Sequence, residues 1–218
     1  MKIVKKIIIR ILSERFKNFL RKFRKYNALN SLDKKLLKYL NFKDGFYIEC
    51  GAHDGVNQSN TWYFETSLNW KGILIEPNVK SFNKLINNRS SKNIFENVAL
   101  VSESFIKKKK KIYLIDNGLT SKITDINNAS NIKEVAIETL SNILIKHKIN
   151  NINLFSLDVE GYEKEVLEGV NLNIFNIDYI LIETSYFDQI NIILKNYNYI
   201  FIKKLGFNDY LFKKDKIK

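Results

Sequence analysis

Phe46-Tyr-Ile-Glu-Cys-Gly-Ala-His-Asp-Gly-Val56 decides how the rest of this 218-residue chain is read. An apolar, aromatic run ends on Glu49 and then turns through Gly51 and Gly55, with Asp54 between them. Its length and residue choice predict a strand that the two glycines stop. Residues 57–68 continue as a predicted helix, polar at first and then carrying Trp62, Tyr63, Phe64 and Leu68. A strand, a glycine turn and a helix build a nucleotide-binding crevice. Glycine lets a ligand approach the backbone closely, and the helix start offers unpaired N–H groups.

The spacing narrows the choice of nucleotide. A dinucleotide fingerprint reads Gly-x-Gly-x-x-Gly, with the pyrophosphate on the helix N-terminus. Here it is Gly51-x-x-x-Gly55 with no third glycine. Two acids beside the turn, Glu49 and Asp54, would repel a diphosphate and suit an ammonium group. That argues against NAD and for S-adenosylmethionine, which carries an amino group, a sulfonium and no phosphate. Downstream, Gly72-Ile-Leu-Ile-Glu-Pro77 is a second apolar strand ending in an acid. One helix and one strand fill the gap, so Glu76 is expected at the same sheet edge, where a carboxylate can accept both ribose hydroxyls. Pro77, the only proline, ends that strand by removing a backbone donor.

Five segments then occur in order: Glu49-x-Gly51-Ala52-x-Asp54-Gly55, Ser59-Asn60-Thr61, Leu74-Ile-Glu-Pro-Asn78, Asn97-Val-Ala-Leu100 and Leu157-Asp-Val-Glu-Gly-Tyr-Glu163. Together they resemble the FkbM family of S-adenosylmethionine-dependent methyltransferases, from about Leu32 to Phe212. The resemblance implies an α/β fold of the class I methyltransferase (Rossmann-like) type. Its seven-stranded, mostly parallel sheet would carry helices on both faces and a C-terminal antiparallel hairpin. It also implies O-methylation of sugars and natural products, with Asn97 and Val98 beside the adenine ring. Donor contacts are expected from Glu49, Gly51, Ala52, Asp54, Ser59, Glu76, Pro77, Asn97, Val98 and Asp158.

Composition bounds the alternatives. The length suits one domain with an appendage, and 45% hydrophobic residues are ordinary for a globular chain. The one cysteine, Cys50, cannot form an internal disulfide, which suits a reducing cytoplasm, and is expected to be packing. The net charge of +13 is unevenly placed. Residues 1–25 hold ten basic side chains against Glu14 alone, Lys107–Lys111 adds five, and the tail from Lys213 holds four against Asp215, so the body is slightly acidic. A body of that charge, with no basic and aromatic interleaving, argues against nucleic acid as a partner.

Residues 1–26 read as a basic amphipathic helical arm preceding a domain at 27–218. Its lysines interrupt the apolar run too often for a membrane span or signal peptide. Such a helix can pack on the domain or a second copy in a homodimer, or lie on an anionic inner membrane surface. Ser31–Leu40 is the next predicted helix, with Ser31 as N-cap. Ile94–Val101 reads as one strand, Ser104–Asp116 as a charge-guarded edge segment and Gly118–Asn131 as an acceptor-side loop. Lys107–Lys111 could meet the diphosphate of a sugar-nucleotide acceptor. His147 is expected on the surface, and Tyr199–Leu205 and Tyr210–Phe212 as the closing hairpin.

For the chemistry, a sugar hydroxyl must lose its proton during attack, and a positioned base contributes about 10²–10⁴-fold. His53, Asp158, Glu160 and Glu183 are the candidate bases, all expected at one rim of the sheet. Alternatively, Glu160 and Glu163 cap a helix start, where anions are favourable. Oxygen ligands at the rim could also hold a divalent metal. Glu183-Thr184 stands where metal-using relatives of this fold carry consecutive aspartates, so no residue is assigned as a metal ligand. The sequence thus predicts a cytoplasmic O-methyltransferase acting on a sugar nucleotide or surface-glycan precursor. The alternatives are an NAD-dependent oxidoreductase and a membrane-surface binding module using the basic arm.

Overall fold

In a computed structural model of the chain, residues 23–108, 112–115, 122–124 and 132–215 are described. Most of the basic arm, Lys109–Lys111 and nearly all of the expected acceptor-side loop lie outside them. The strands are β1 Phe46–Cys50, β2 Lys71–Ile75, β3 Ile94–Glu96, β4 Ala99–Leu100, β5 Ile112–Ile115, β6 Lys122–Thr124, β7 Ile132–Val135, β8 Ile137–Glu138, β9 Asn151–Leu157, β10 Asn176–Glu183, β11 Tyr199–Lys204 and β12 Asp209–Lys214. The helices are α1 Leu32–Leu40, α2 Trp62–Leu68, α3 Val79–Asn88, α4 Glu103–Lys107, α5 Leu140–Lys146, α6 Glu163–Glu168 and α7 Phe187–Lys195.

Seven strands form one sheet in the order β11-β12-β10-β9-β1-β2-β3. The pairs from β3 to β10 are parallel, and β12 runs antiparallel to both neighbours. This is the expected class I methyltransferase arrangement, closing hairpin included. Side chains alternate across it as strand geometry requires. Ile48, Cys50, Ile73, Ile75, Phe155 and Leu157 face a core shared with α5, α6 and α7. Tyr47, Leu74, Leu154, Leu181 and Leu211 face a second core with Leu36 of α1, Phe64 of α2 and Leu85 of α3. Glu49 and Ser156, one step from Cys50 and Leu157, are turned toward the second layer, which matters for the site.

Several local expectations change. The strand read at Ile94–Val101 breaks at Asn97-Val98, and β4 leaves the main sheet to pair with β8. Within Ser104–Asp116 the first turn is helical, because the Ser102 side chain accepts from Phe105 N (3.2 Å) and caps α4. β5 follows in a three-stranded sheet with β6 and β7. Ser31 adopts a left-handed φ of 56° and makes no cap bond. Asp33 accepts from Asn27 N (2.8 Å) and Ala28 N (3.2 Å) instead. α2 begins only at Trp62, leaving residues 57–61 as a loop. The chain entering the domain lies against that region: Tyr26 stacks on Tyr63 at 4.8 Å, and Trp62 Nε1 donates to Arg24 O (3.4 Å). No helix among the described residues is long and apolar enough to cross a membrane.

Candidate active site

The parallel strands β1, β2 and β9 end side by side, and a cleft opens over their tips, where open α/β sheets bind ligands. The space over the tips is ≈690 Å³ counted with the solvent at its open mouth. Ile75, Pro77, Val98, Leu100 and Leu114 give it apolar walls, and Gly51, His53, Glu76, Asp158 and Glu160 are its polar lining. Among the described residues no lysine or arginine lines it, so none of them offers a diphosphate a counter-charge.

Gly51 explains why the tips lie so close. Its φ is +77°, and a Cβ there would sit 1.9 Å from the Asp158 carbonyl oxygen. Gly51 N and Ala52 N both donate to Ile75 O (3.1 Å each), which ties the turn to β2. His53 follows with φ 48° and Glu160 has φ 52°, both left-handed without being glycine. Such conformations cost about 1–3 kcal/mol each and cluster at functional sites.

Glu76 is held rigidly. Oε2 accepts from His53 N and Oε1 from Asn78 N, each at 2.8 Å. Burial nevertheless raises its pKa above the ordinary range, since these bonds and the nearby His53 only partly offset it. A carboxylate has lone pairs beyond those two bonds, and Glu76 lines the cleft. Asn97 donates its amide to the Glu76 and Pro77 carbonyls (2.7 and 3.2 Å), so it secures the loop, while Val98 lines the cleft itself.

Glu49 and Asp54 are occupied differently from Glu76. Asp54 Oδ1 accepts from Val56 N and Asn57 N (3.0 and 2.8 Å), closing its own turn. Burial pushes its pKa up, but these bonds and the neighbouring His53 outweigh it and leave it below the ordinary value. His53 Nδ1 lies 3.7 Å from Asp54 Oδ1, too far for a hydrogen bond. Glu49 accepts from Ser59 Oγ (2.9 Å), Asn60 N (2.7 Å) and Thr61 Oγ1 (2.6 Å), with Arg89 Nη1 at 3.4 Å. Glu49, Gly51, Ala52, His53, Ser59, Asn60, Ser156 and Asp158 line a second, polar recess beside the cleft.

A third recess continues past Asp158 and Glu160 to Glu163, Glu183 and Thr184. Asp158 and Glu160 line both this recess and the cleft; His53 lines the cleft and Glu183 the recess. Burial, then the charges of Glu183, Glu160, Glu163 and Asp209, hold the Asp158 carboxyl well above the usual range. Glu183 is raised by burial and then by Asp209, Glu160 and Glu163, with Asp158 partly offsetting them. Neighbouring carboxylates disfavour one another's charge, so the two titrate as a pair. Glu163 accepts from Gly161 N (2.8 Å) just before α6, whose start carries no side-chain cap bond, so the capping expected of Glu160 and Glu163 is not made. Among the described residues, no three His, Cys, Asp or Glu side chains are gathered to hold a metal ion.

Cys50 is fully buried and its thiol is pushed well up by burial, as a packing residue's would be. His147 is half-buried rather than a free surface residue, with Nε2 2.6 Å from Glu96 Oε1. Leu114, which brings β5 over the cleft, was not legible in its lysine-interrupted run. Arg89 belongs to no motif in the sequence, although it is the only arginine after Arg24.

Comparison with known proteins bears on the family and the fold. A family described as "Methyltransferase FkbM domain" matches residues 49–201. No curated protein matches the chain. Among solved structures, it is similar to a methyltransferase FkbM from Methylobacillus flagellatus KT at 14% identity and TM-score 0.51, over 81% of this chain and 45% of that one. The chain therefore spans less than half of that protein's length. A methyltransferase from Geobacter sulfurreducens has 12% identity and TM-score 0.45, over 98% and 95% of the two chains. A fibrillarin/NOP5P complex has 13% identity and TM-score 0.46, over 86% and 80%. The family match covers more than half of the chain, and its strand order is that of the class I methyltransferases: the chain belongs to the FkbM methyltransferase family.

Proposed function

We propose that this chain binds S-adenosylmethionine in the cleft over β1, β2 and β9 and catalyses methyl transfer to a carbohydrate hydroxyl, as in a sugar nucleotide or surface-glycan precursor. The observation that carries the donor reading is the cleft lining: apolar walls, a carboxylate fixed by two backbone N–H groups, and, among the described residues, no cation for a phosphate. Glu76 would accept the ribose hydroxyls, and Pro77, Val98, Leu100 and Leu114 would enclose the base. When bound, the donor supplies an electrophilic methyl group on a sulfonium, so the protein need not activate it further.

The residues' task is then alignment and proton removal. Holding two reactants in line is worth on the order of 7–11 kcal/mol. Asp158 and Glu160 stand where the donor cleft meets the acidic recess, so a hydroxyl held there faces both the donor and a base. The raised pKa of Asp158 makes it a stronger base than an ordinary carboxylate, with Glu183 beside it in the same acidic cluster. A diphosphate group on the acceptor would have to lie away from this recess. His53 is the remaining candidate base, on the cleft side. We place the reaction in the cytoplasm, with the basic arm available for an anionic membrane surface.

Incubating the protein with labelled donor and a panel of sugar nucleotides and neutral glycans, read by mass, tests this directly. Asp158→Asn is expected to slow turnover with little change in donor affinity, and Glu76→Ala to weaken donor binding. Equal loss of donor affinity in both variants would contradict this division of roles.

A further inference from the structure

We propose that Arg89 is a positioning residue for the donor's amino-acid end: it ties Gly55, Ser59 and Thr61 to Glu49, and so holds Asn60 where its side-chain oxygen can receive an ammonium group. This rests on the S-adenosylmethionine reading above. Arg89 follows α3, and its guanidinium side chain is fully buried. Nε donates to Glu65 Oε2 (2.8 Å), Nη2 to Tyr47 Oη (2.7 Å) and Thr61 Oγ1 (3.0 Å). Nη1 donates to Gly55 O (3.0 Å) and Ser59 Oγ (3.1 Å), with Glu49 Oε2 at 3.4 Å. A planar fork with fixed directions can hold that many partners at once; a lysine ammonium, with three donors and no plane, cannot.

Three of those partners lie on one loop, residues 55–61, which starts at the glycine turn and runs past the polar recess. Burial disfavours the guanidinium charge, but Tyr47, Glu49 and Glu65 more than offset it. Glu49 in turn anchors Asn60 N and the Ser59 and Thr61 hydroxyls. The Asn60 amide donates to Ser156 Oγ (3.0 Å), and its oxygen is buried with no hydrogen-bond partner among the described residues. That oxygen belongs to a residue lining the recess beside Asp158. A buried acceptor without a donor is costly unless a ligand supplies one, and the ammonium of S-adenosylmethionine would. Glu49, by contrast, has its oxygens engaged within the protein, so its effect on the donor passes through the loop.

The test uses the full chain and two ligands: S-adenosylhomocysteine, which has the amino-acid end, and adenosine, which lacks it. Dissociation constants are measured by calorimetry for Arg89→Lys, Arg89→Met and Asn60→Ala. Loss of one bond to a charged group predicts S-adenosylhomocysteine binding weaker by ~10-fold or more, with adenosine binding within about twofold of wild type on the same scale. Should Arg89→Met fail to fold, Arg89→Lys and Asn60→Ala still decide. Equal weakening of both ligands would mean Arg89 only supports the fold, and unchanged S-adenosylhomocysteine binding would overturn the proposal outright. A wild-type protein that bound neither ligand would instead remove the donor reading itself.

Discussion

Gly51→Ala is the sharpest perturbation the geometry offers, because the glycine is required twice over. Its φ of +77° lies where an L-residue costs about 1–2 kcal/mol. A new Cβ would also meet the Asp158 carbonyl oxygen at 1.9 Å, a backbone atom that no rotamer change can move. Relief requires the tips of β1 and β9 to part, which strains the Asp158 N to Cys50 O bond (3.3 Å) and the Gly51 N to Ile75 O bond (3.1 Å). Each such bond is worth about 1 kcal/mol. The combined loss is roughly 2–4 kcal/mol, or about 5–15 °C in Tm for a domain of this size. Gly161→Ala is the control. It too has a positive φ (+102°), yet nothing lies within 4 Å of its added Cβ, so it carries the backbone cost alone. Thermal denaturation and calorimetry with S-adenosylhomocysteine should find Gly51→Ala less stable than Gly161→Ala and weaker in binding. Equal Tm values with unchanged affinity would refute the close contact of the strand tips.

Asp158→Asn is expected to raise the Tm of the ligand-free protein at pH 8 while slowing turnover. The folded-state pKa of Asp158 is raised, so its contribution is fully present below the ordinary Asp range and lost as pH rises through the raised value. The variant's advantage should therefore fade toward pH 3, and parallel Tm curves across pH would contradict this. Glu76→Ala should weaken S-adenosylhomocysteine by at least ~10-fold, since bonds to a charged group contribute about 1.5–3 kcal/mol each; a calorimetric Kd within twofold of wild type, on the same scale, would exclude a ribose contact. Removing residues 1–22 should abolish sedimentation with anionic vesicles and leave S-adenosylhomocysteine affinity unchanged, whereas vesicle binding that survives the deletion would exclude the arm.

The main sheet was legible because its signals are local. Apolar runs stopped by Gly51, Pro77 and Asp158 mark the three strand tips that meet at the cleft, and alternation within them assigns each side chain to a layer. What failed to show depended on contacts distant in sequence. The break at Asn97-Val98 comes from the Asn97 amide bonding the Glu76 and Pro77 carbonyls, which no periodicity encodes. The sequence reads 57–61 as the polar start of α2, yet Glu49 and Arg89 take its hydroxyls and Asn60 N, and Asn57, Ser59, Asn60 and Thr61 are themselves cap and turn formers. Glu49 itself reads from sequence as a ligand for a cation. Its cation in the fold is Arg89, 40 residues away. Alternation along β1 was the available clue, since Glu49 shares the face of Tyr47 and points away from that of Cys50.

Calorimetric titration of the full chain with S-adenosylhomocysteine, beside NAD under the same conditions, tests the central claim most directly. One S-adenosylhomocysteine should bind per chain, weakened by Glu76→Ala, with no heat from NAD. Saturable binding of NAD, with none of S-adenosylhomocysteine, would contradict it.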